Sequence, residues 1–234
     1  MEDPPLASLS LTHVHYNPND PISFLSAWLA LVPQGLCVIY VTLIWASREV
    51  EILLMFAGQI ACEALNFGLK RLIREERPRQ MYGKGYGMPS SHSQFAAFFS
   101  VSLSLFLLFR HAPTPSTSYS PSTFSERLLL SLLACMGAGA VAASRVYLNY
   151  HTPKQVWAGA LGGACFAVIW FLFTTYLRRF GWVDWGLETW LSRKLRMRDL
   201  ISTEDIQDAG WERWESRRKA RRDITSSEES KKTR

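Results

Sequence analysis

Three short polar segments between long apolar runs hold the side chains whose types and spacing could carry out chemistry. The segments are Lys70–Pro78 (KRLIREERP), Pro89–His92 (PSSH) and Ser144–Gln155 (SRVYLNYHTPKQ). Cations, hydroxyl groups and imidazole rings are provided by Lys70, Arg77, Arg145, Ser90, Ser91, His92 and His151. Guanidinium and ammonium groups bind phosphate oxygens, and histidine exchanges a proton or attacks near neutral pH. These residue types together predict a site that binds a phosphate group and moves a proton.

The apolar runs around these segments are the elements that must position them. They lie near Ile22–Trp45, Ile52–Leu69, Ser93–Phe109, Leu128–Ala143 and Val156–Leu177. A helix needs roughly 20 apolar residues to cross a bilayer, and helices of a soluble bundle carry a polar stripe that these runs lack. The sequence therefore predicts an all-α integral membrane protein, a bundle of about five transmembrane helices with its catalytic loops on one face. The third and fourth runs are short, so these helices are expected to begin within the flanking loops or to tilt little.

The termini differ from the apolar part of the chain. The 234 residues carry a formal net charge of +6, and much of the excess lies in the polar segments or near the C-terminus. The tail sequence WERWESRRKARR is basic enough for nucleic acid, but tryptophans among basic residues beside membrane helices favour anionic lipid headgroups. We predict an N-terminal tail over residues 1–21, a transmembrane catalytic domain over 22–177, and a basic tail over 178–234 that is partly interfacial and partly disordered. Residues 181–191 fit either an interfacial segment or a short loop.

The cysteines do not form a pattern typical of a metal site or a disulfide framework. They lie in separate apolar runs without CxxC spacing, at Cys37, Cys62, Cys135 and Cys165. Small side chains in such runs are expected to be buried in the core. The sequence predicts no metal and no disulfide.

The distribution of basic residues predicts how the protein lies in the membrane. Lys and Arg are absent from residues 1–21, whereas Arg48 follows the first apolar run, so the N-terminus is predicted to face away from the cytosol. An odd number of helices then places the C-terminus in the cytosol and the polar loops on the lumenal side. Lys231 and Lys232 near the C-terminus resemble a dilysine retrieval signal, which predicts the endoplasmic reticulum membrane and the retrieval machinery as a partner.

Local signals place two of the polar segments at the starts of helices. Ser90 or Ser91 can cap the third helix, whose free N–H groups would then point at an anion. Thr152 and Pro153 are typical of the N-cap and first position of the fifth helix. This arrangement predicts that His151 lies at a helix start, on the same membrane face as His92.

The order and spacing of the motifs resemble the three-part signature of the type 2 phosphatidic acid phosphatase superfamily. The signature consists of Lys70 with Arg77-Pro78, then Pro89–His92, then Ser144-Arg145 with His151. The resemblance implies that no cofactor or metal is needed, that His151 attacks phosphorus to give a phosphohistidine, and that His92 protonates the leaving group. The residues that it implies for binding the substrate phosphate are Lys70, Arg77, Ser90, Ser91 and Arg145.

Two positions depart from the superfamily pattern. Ser91 stands where glycine is usual, which adds a hydroxyl donor or tightens the loop. Gln155 stands where the superfamily usually has an aspartate that orients the nucleophilic histidine without contacting the substrate. An amide oxygen accepts a hydrogen bond from the ring N–H group, as a carboxylate does, but it carries no charge. The pattern SRVYLNYHTPKQV resembles the dolichyl diphosphatases of the superfamily. That resemblance implies hydrolysis of dolichyl diphosphate to dolichyl phosphate and phosphate at the lumenal face of the endoplasmic reticulum, recycling the carrier lipid of N-glycosylation.

Other functions are open on the sequence alone. Another lipid phosphatase of the same superfamily would act on phosphatidate, a sphingoid phosphate or a sugar phosphate. A protein of another class would keep the fold but only bind lipid phosphate, and it would be expected to lack a motif residue. His92, His151 and the motif cations are all present, which favours an enzyme. A nucleic-acid role for the tail is the least favoured of these functions.

Overall fold

The computed structural model describes residues 7–9, 14–78, 85–113, 121–205 and 211–232. Within these ranges the regular secondary structure is helical apart from an antiparallel pair of short strands, β1 (Ala7–Leu9) and β2 (Val14–Tyr16). The helices are α1 (Pro21–Leu29), α2 (Val32–Ser47), α3 (Val50–Ile73), α4 (Ser91–Leu105, continued by a π-helical turn over Phe106–Arg110), α5 (Phe124–Tyr147), α6 (Pro153–Arg179), α7 (Trp182–Glu188), α8 (Trp190–Leu195) and α9 (Trp211–Lys232).

The described residues contain five helical segments that are long and apolar enough to cross a membrane. They are Pro21–Ser47, Val50–Ile73, Ser91–Arg110, Phe124–Tyr147 and Pro153–Arg179. This confirms the predicted membrane bundle. The third and fourth segments extend into the flanking polar sequence, so Ser91 and Arg145 are helical.

The first segment is not the single helix that its apolar run predicts. α1 ends at Leu29 and α2 begins at Val32, with Ala30 and Leu31 between them. Pro33 lies in the first turn of α2, where its missing N–H group is tolerated, but its ring would clash with the carbonyl group of Leu29 in a continuous helix. The break therefore has a sequence signal in Pro33.

α4 lies at the centre of the bundle and packs against α3, α5 and α6. Its approach to α6 depends on glycine. A Cβ atom at Gly163 would lie 2.2 Å from the carbonyl oxygen of Gln94, and one at Gly159 would lie 2.5 Å from that of Ser90. Small residues spaced by four let two helix backbones meet closely. This contact brings the first turn of α6 against the first turn of α4.

A network of buried ion pairs lies at the other end of the bundle. The carboxylate of Glu51, 1% exposed, accepts hydrogen bonds from Arg110 and Arg178, each at 2.5 Å. Arg178 also pairs with Asp199, and Arg198 pairs with the fully buried Glu49 at 2.7 Å. We call residues 196–205, which these pairs tie to the bundle, the C-terminal clamp. The clamp continues to Asp205, whose carboxylate lies 2.9 Å from the His111 ring.

Further helices follow the last membrane-spanning segment. Residues 181–191 form α7 and the start of α8, and the exposed side chains of Trp182, Trp185 and Trp190 are typical of a membrane–water interface. A helix, α9, runs through the tail predicted to be partly disordered, because its Glu, Arg, Lys and Ala residues favour helix. The side chains of Lys231 and Lys232, and residues 1–6, lie outside the described part of the chain.

The prediction that the cysteines are core residues is correct for one of them. Cys62 is buried against Phe98 and Ala167, and Cys37 is half-buried. Cys135 and Cys165 are exposed on the outer surface of the helices, so the prediction is wrong for these two. The surface around a membrane helix is itself apolar, and an apolar run therefore does not tell buried positions from lipid-facing ones.

Candidate active site

The three polar motifs meet at one end of the bundle because each lies at a helix end. Lys70 is in the last turn of α3, Arg145 is in the last turn of α5, and His92 is in the first turn of α4. His151 lies in the short connection between α5 and α6. His92 is close enough to Arg145, His151 and Lys70 to interact with their charges. The predicted clustering of the motif residues is therefore present in the structure.

None of the cations of this cluster forms a salt bridge with a carboxylate in the described part of the chain. Arg145 is 2% exposed, and its guanidinium group contacts only the hydroxyl of Ser144 at 3.4 Å, the carbonyl of Ser26 at 3.5 Å and the Tyr150 ring. The Nε atom of Arg77 is buried without a hydrogen-bond partner. A buried cation is costly unless an anion compensates it. The arrangement is that of an anion-binding site.

His151 is held with one ring nitrogen facing Gln155. Its Nδ1 atom lies 3.1 Å from Oε1 of Gln155, and the ring is 5% exposed. The amide group of Gln155 donates from Nε2 to Oε1 of Glu75 at 3.1 Å and to the carbonyl of Glu76 at 2.8 Å. Because the amide oxygen accepts and cannot donate, Nδ1 carries the proton and Nε2 keeps its lone pair. Gln155 therefore occupies the orienting position predicted for it.

The charge state of His151 follows from its surroundings. The pKa of His151 is lowered to about 4, chiefly because the ring is buried; the Gln155 hydrogen bond works in the opposite direction, and Arg77, Lys70 and Arg145 contribute to the lowering. The imidazole is therefore neutral at pH 7. A neutral ring with a free Nε2 lone pair among cations is chemically able to attack an electrophilic phosphorus atom.

Ser90 and Ser91 have different surroundings at the start of α4. Ser90 is the N-cap and fully buried, but its side chain does not cap the helix. Its hydroxyl accepts from Ser93 at 3.1 Å, and its N–H group donates to the carbonyl of Gln155 at 3.1 Å. The hydroxyl of Ser91 contacts the ammonium group of Lys70 and donates to Asn66 at 3.1 Å. Ser91 thus contacts a site cation, whereas the backbone N–H of Ser90 is already bonded to protein.

The break between α1 and α2 also contributes to the site, which the sequence did not predict. Nε2 of His92 lies 3.2 Å from the carbonyl oxygen of Ala30, which belongs to the break. The carbonyl of Ser26, one turn earlier, faces Arg145. Carbonyl groups at a helix C-terminus carry partial negative charge and favour nearby cations. Pro33 was the signal for this break, but nothing in the sequence indicated what the break would face.

Polar residues inside α3 and α4 form a chain of hydrogen bonds that leads to Ser91 at the site. Nδ2 of Asn66 donates to Oε1 of Gln94 at 2.7 Å, and Nε2 of Gln94 donates to the carbonyl of Cys62 at 3.0 Å. Asn66 in turn accepts from Ser91. The sequence signal was a polar side chain within each apolar run, which is costly in a membrane unless it is hydrogen-bonded. The described residues contain no group of His, Cys, Asp or Glu side chains that could hold a metal ion.

Comparisons with known proteins agree with this geometry. Residues 49–179 match the family model described as the PAP2 superfamily, and the chain belongs to that superfamily. A Neurospora crassa protein named provisionally as a dolichyldiphosphatase is 48% identical, and the match covers 88% of this chain and 90% of that protein. Dolichyldiphosphatase 1 of Dictyostelium discoideum is 36% identical and covers 74% of each chain. Dolichyldiphosphatase 1 of Homo sapiens is 41% identical and covers 71% of each. No solved structure is significantly similar to this chain.

Proposed function

We propose that this protein is a dolichyldiphosphatase, which hydrolyses dolichyl diphosphate to dolichyl phosphate and inorganic phosphate. The observation that carries the proposal is the cluster of cations around the neutral His151, in which Arg145 is buried without an anionic partner among the described residues. Such a cluster suits a substrate with several phosphate oxygens. The relatives named as dolichyldiphosphatases, which match most of this chain, support the choice of substrate.

In the proposed complex, the diphosphate occupies the cation cluster and the polyprenyl chain stays in the bilayer. Lys70, Arg77 and Arg145 bind the phosphate oxygens, with further hydrogen bonds from Ser91 and the first N–H groups of α4, which have no partner within the helix. Ser90 was predicted as a further phosphate ligand. Its hydroxyl is the group available for that role, since its N–H group bonds to Gln155.

The proposed reaction has two displacements at the terminal phosphorus. In the first, Nε2 of His151 attacks, the anhydride P–O bond breaks, and protonated His92 gives its proton to the departing dolichyl phosphate oxygen. The cations stabilise the charge on the equatorial oxygens. In the second, His92 takes a proton from water, the water oxygen attacks phosphorus, and the P–N bond breaks. Phosphate leaves, and His151 is restored with Nδ1 still bonded to Gln155.

We further propose that the enzyme lies in the endoplasmic reticulum membrane with its active site lumenal and its C-terminus cytosolic. The five spans place the site end and the C-terminus on opposite sides, and the N-terminal residues 1–21 lack Lys and Arg. Dolichyl phosphate would then be returned as the carrier lipid of N-glycosylation, and Lys231 and Lys232 would be read by retrieval machinery. A C-terminal epitope that antibody reaches only after the inner membranes are opened would contradict this orientation.

The test of the proposed activity is phosphate release by the purified protein in detergent and EDTA. Dolichyl diphosphate, phosphatidate and dolichyl phosphate are compared at equal concentration, with His151→Ala as the control. The proposal predicts a strong preference for the diphosphate and no turnover by the control. Preference for phosphatidate would keep the site but identify another lipid phosphatase of the superfamily. No release from any substrate would identify a protein that only binds lipid phosphate.

A further inference from the structure

Glu75, in the segment that follows α3, lies on the far side of the Gln155 amide from His151. Its Oε1 atom accepts a hydrogen bond from Nε2 of Gln155 at 3.1 Å, while Oε1 of Gln155 faces Nδ1 of His151 at 3.1 Å. The three side chains form a continuous hydrogen-bonded row from a carboxylate to the imidazole. The carboxylate that the superfamily places directly beside the histidine is thus present here one residue further away.

From this row we propose that Glu75 is a positioning residue for phosphoryl transfer at His151, acting through Gln155. Its carboxylate holds the amide so that the oxygen faces the ring. It also supplies, one hydrogen bond further out, the negative charge that glutamine lacks. The proposal rests on the proposed function, in which His151 is the nucleophile.

The amide of Gln155 is held on several sides. Gln155 is fully buried, and its Nε2 atom has a second acceptor in the carbonyl of Glu76 at 2.8 Å. A Cβ atom at Gly87 would lie 2.8 Å from both amide heteroatoms, so the loop before α4 packs directly on the amide. The N–H group of Gly87 donates to the backbone carbonyl of Glu75 at 2.7 Å. This packing keeps the row of three side chains in register.

Glu75 carries its charge at neutral pH. The pKa of Glu75 lies below its usual value because the carboxylate accepts hydrogen bonds from Lys154 and Gln155. The Lys154 ammonium group is 2.8 Å away but largely exposed, so water screens its charge. When the His151 ring becomes phosphorylated it gains positive charge, and a carboxylate in line with the ring stabilises that charge through the intervening amide.

The test exchanges the carboxylate and the amide between positions 75 and 155. Glu75→Gln is expected to lower kcat roughly 10- to 30-fold with KM nearly unchanged, because the negative charge behind the Gln155 amide is lost. Glu76→Gln is the matched control, since the exposed Glu76 contributes only its backbone carbonyl to the row. Gln155→Asp alone should also be slow, because two carboxylates then face each other. The double variant Glu75→Gln, Gln155→Asp should recover kcat to within a few-fold of the wild type.

The double variant separates a positioning role from a merely structural one. A structural role predicts that the two losses multiply, whereas the proposal predicts that Glu75→Gln raises kcat in the Gln155→Asp background. Equal kcat values for Glu75→Gln and Glu76→Gln, or losses that multiply in the double variant, would overturn the proposal. His151→Ala is measured alongside. Turnover by that variant would remove the proposed nucleophile, while an inactive His151→Ala together with a fully active Glu75→Gln would remove only the role of Glu75.

Discussion

The half-buried Arg178 and the buried Arg145 lie at opposite ends of the bundle, and they differ in whether a carboxylate compensates the charge. Arg178 pairs with Glu51 and Asp199. Arg145, at the other end, has no carboxylate within reach among the residues that the structure describes. Removing one partner of a buried ion pair is strongly destabilising because it leaves a buried charge uncompensated. A buried cation without a partner carries the same cost until an anion binds. The uncompensated charge therefore marks the end of the bundle where substrate is proposed to bind.

Arg77 and Arg74 offer a matched test of this difference. Arg77→Gln is expected to lower kcat/KM by about 100- to 1,000-fold, the usual effect of removing one group that stabilises transition-state charge. Arg74→Gln, three residues earlier, removes an exposed guanidinium group whose Nε donates to the carbonyl of Arg71 at 2.9 Å. Its kcat/KM should stay near that of the wild type. Equal losses in the two variants would show that general positive charge, not the buried position, is what matters.

The sequence alone was enough to propose the candidate site residues, but several of their contacts could not be predicted. The motifs named the cations and both histidines because those residue types serve phosphate chemistry. The bond from the Ser90 N–H group to the carbonyl of Gln155 and the contact of His92 with Ala30 join residues far apart in the chain. Such contacts depend on how the helices pack, which a single sequence does not encode in any local pattern.

At the scale of the elements, the helix ends were predictable where capping chemistry is local. Thr152 caps α6 with Pro153 next to it, as the sequence indicates, and in the structure Gln155 completes a capping box. The Oε1 atom of Gln155 takes part in two interactions, because it accepts a hydrogen bond from the N–H group of Thr152 and also lies against Nδ1 of His151. The separation of α1 from α2 was missed because hydrophobicity is continuous across Pro33. The π-helical turn that ends α4 had no signal in the apolar pattern either.

The close packing of α4 on α6 leads to a prediction about Gly163. Gly163→Ala places a methyl group 2.2 Å from the backbone carbonyl of Gln94, so the helices must separate. The expected loss of stability is about 1–3 kcal/mol, seen as a lower Tm in detergent together with lower turnover. Gly137→Ala in α5 is the control, because a Cβ atom there meets nothing within 4 Å. A Tm for Gly163→Ala equal to that of the control would contradict the packing described here.

At the scale of the whole molecule, the five spans were predictable but the C-terminal clamp was not. Apolar runs of sufficient length can be read directly from the sequence. The clamp depends on pairs such as Arg178 with Glu51, which are 127 residues apart. Arg178 and Arg198 pair with buried carboxylates at the helix ends, which no local pattern in the sequence indicated.

Two truncations test what the C-terminal residues do. A chain that ends at Asp205 keeps the clamp and should retain the wild-type Tm and turnover. A chain that ends at Leu195 removes Arg198 and Asp199, which leaves the buried Glu49 without its cation. Breaking a buried pair costs about 3–5 kcal/mol, so this chain should give little folded protein by size-exclusion chromatography. Loss of turnover in the longer chain would show that the tail has a direct part in activity.

The proposed mechanism requires that the phosphoryl group becomes covalently bound to His151, and a rapid-quench experiment detects this intermediate directly. Dolichyl diphosphate labelled in its terminal phosphate is mixed with the purified protein in EDTA. The reaction is stopped with base after milliseconds to seconds, and the protein is then separated from the labelled substrate. The account predicts label on the protein that is stable in base and labile in acid, as expected of a phosphohistidine. It also predicts that the label is absent from His151→Ala. Release of labelled phosphate by the wild type with no labelled protein at any time, or by His151→Ala, would contradict the account.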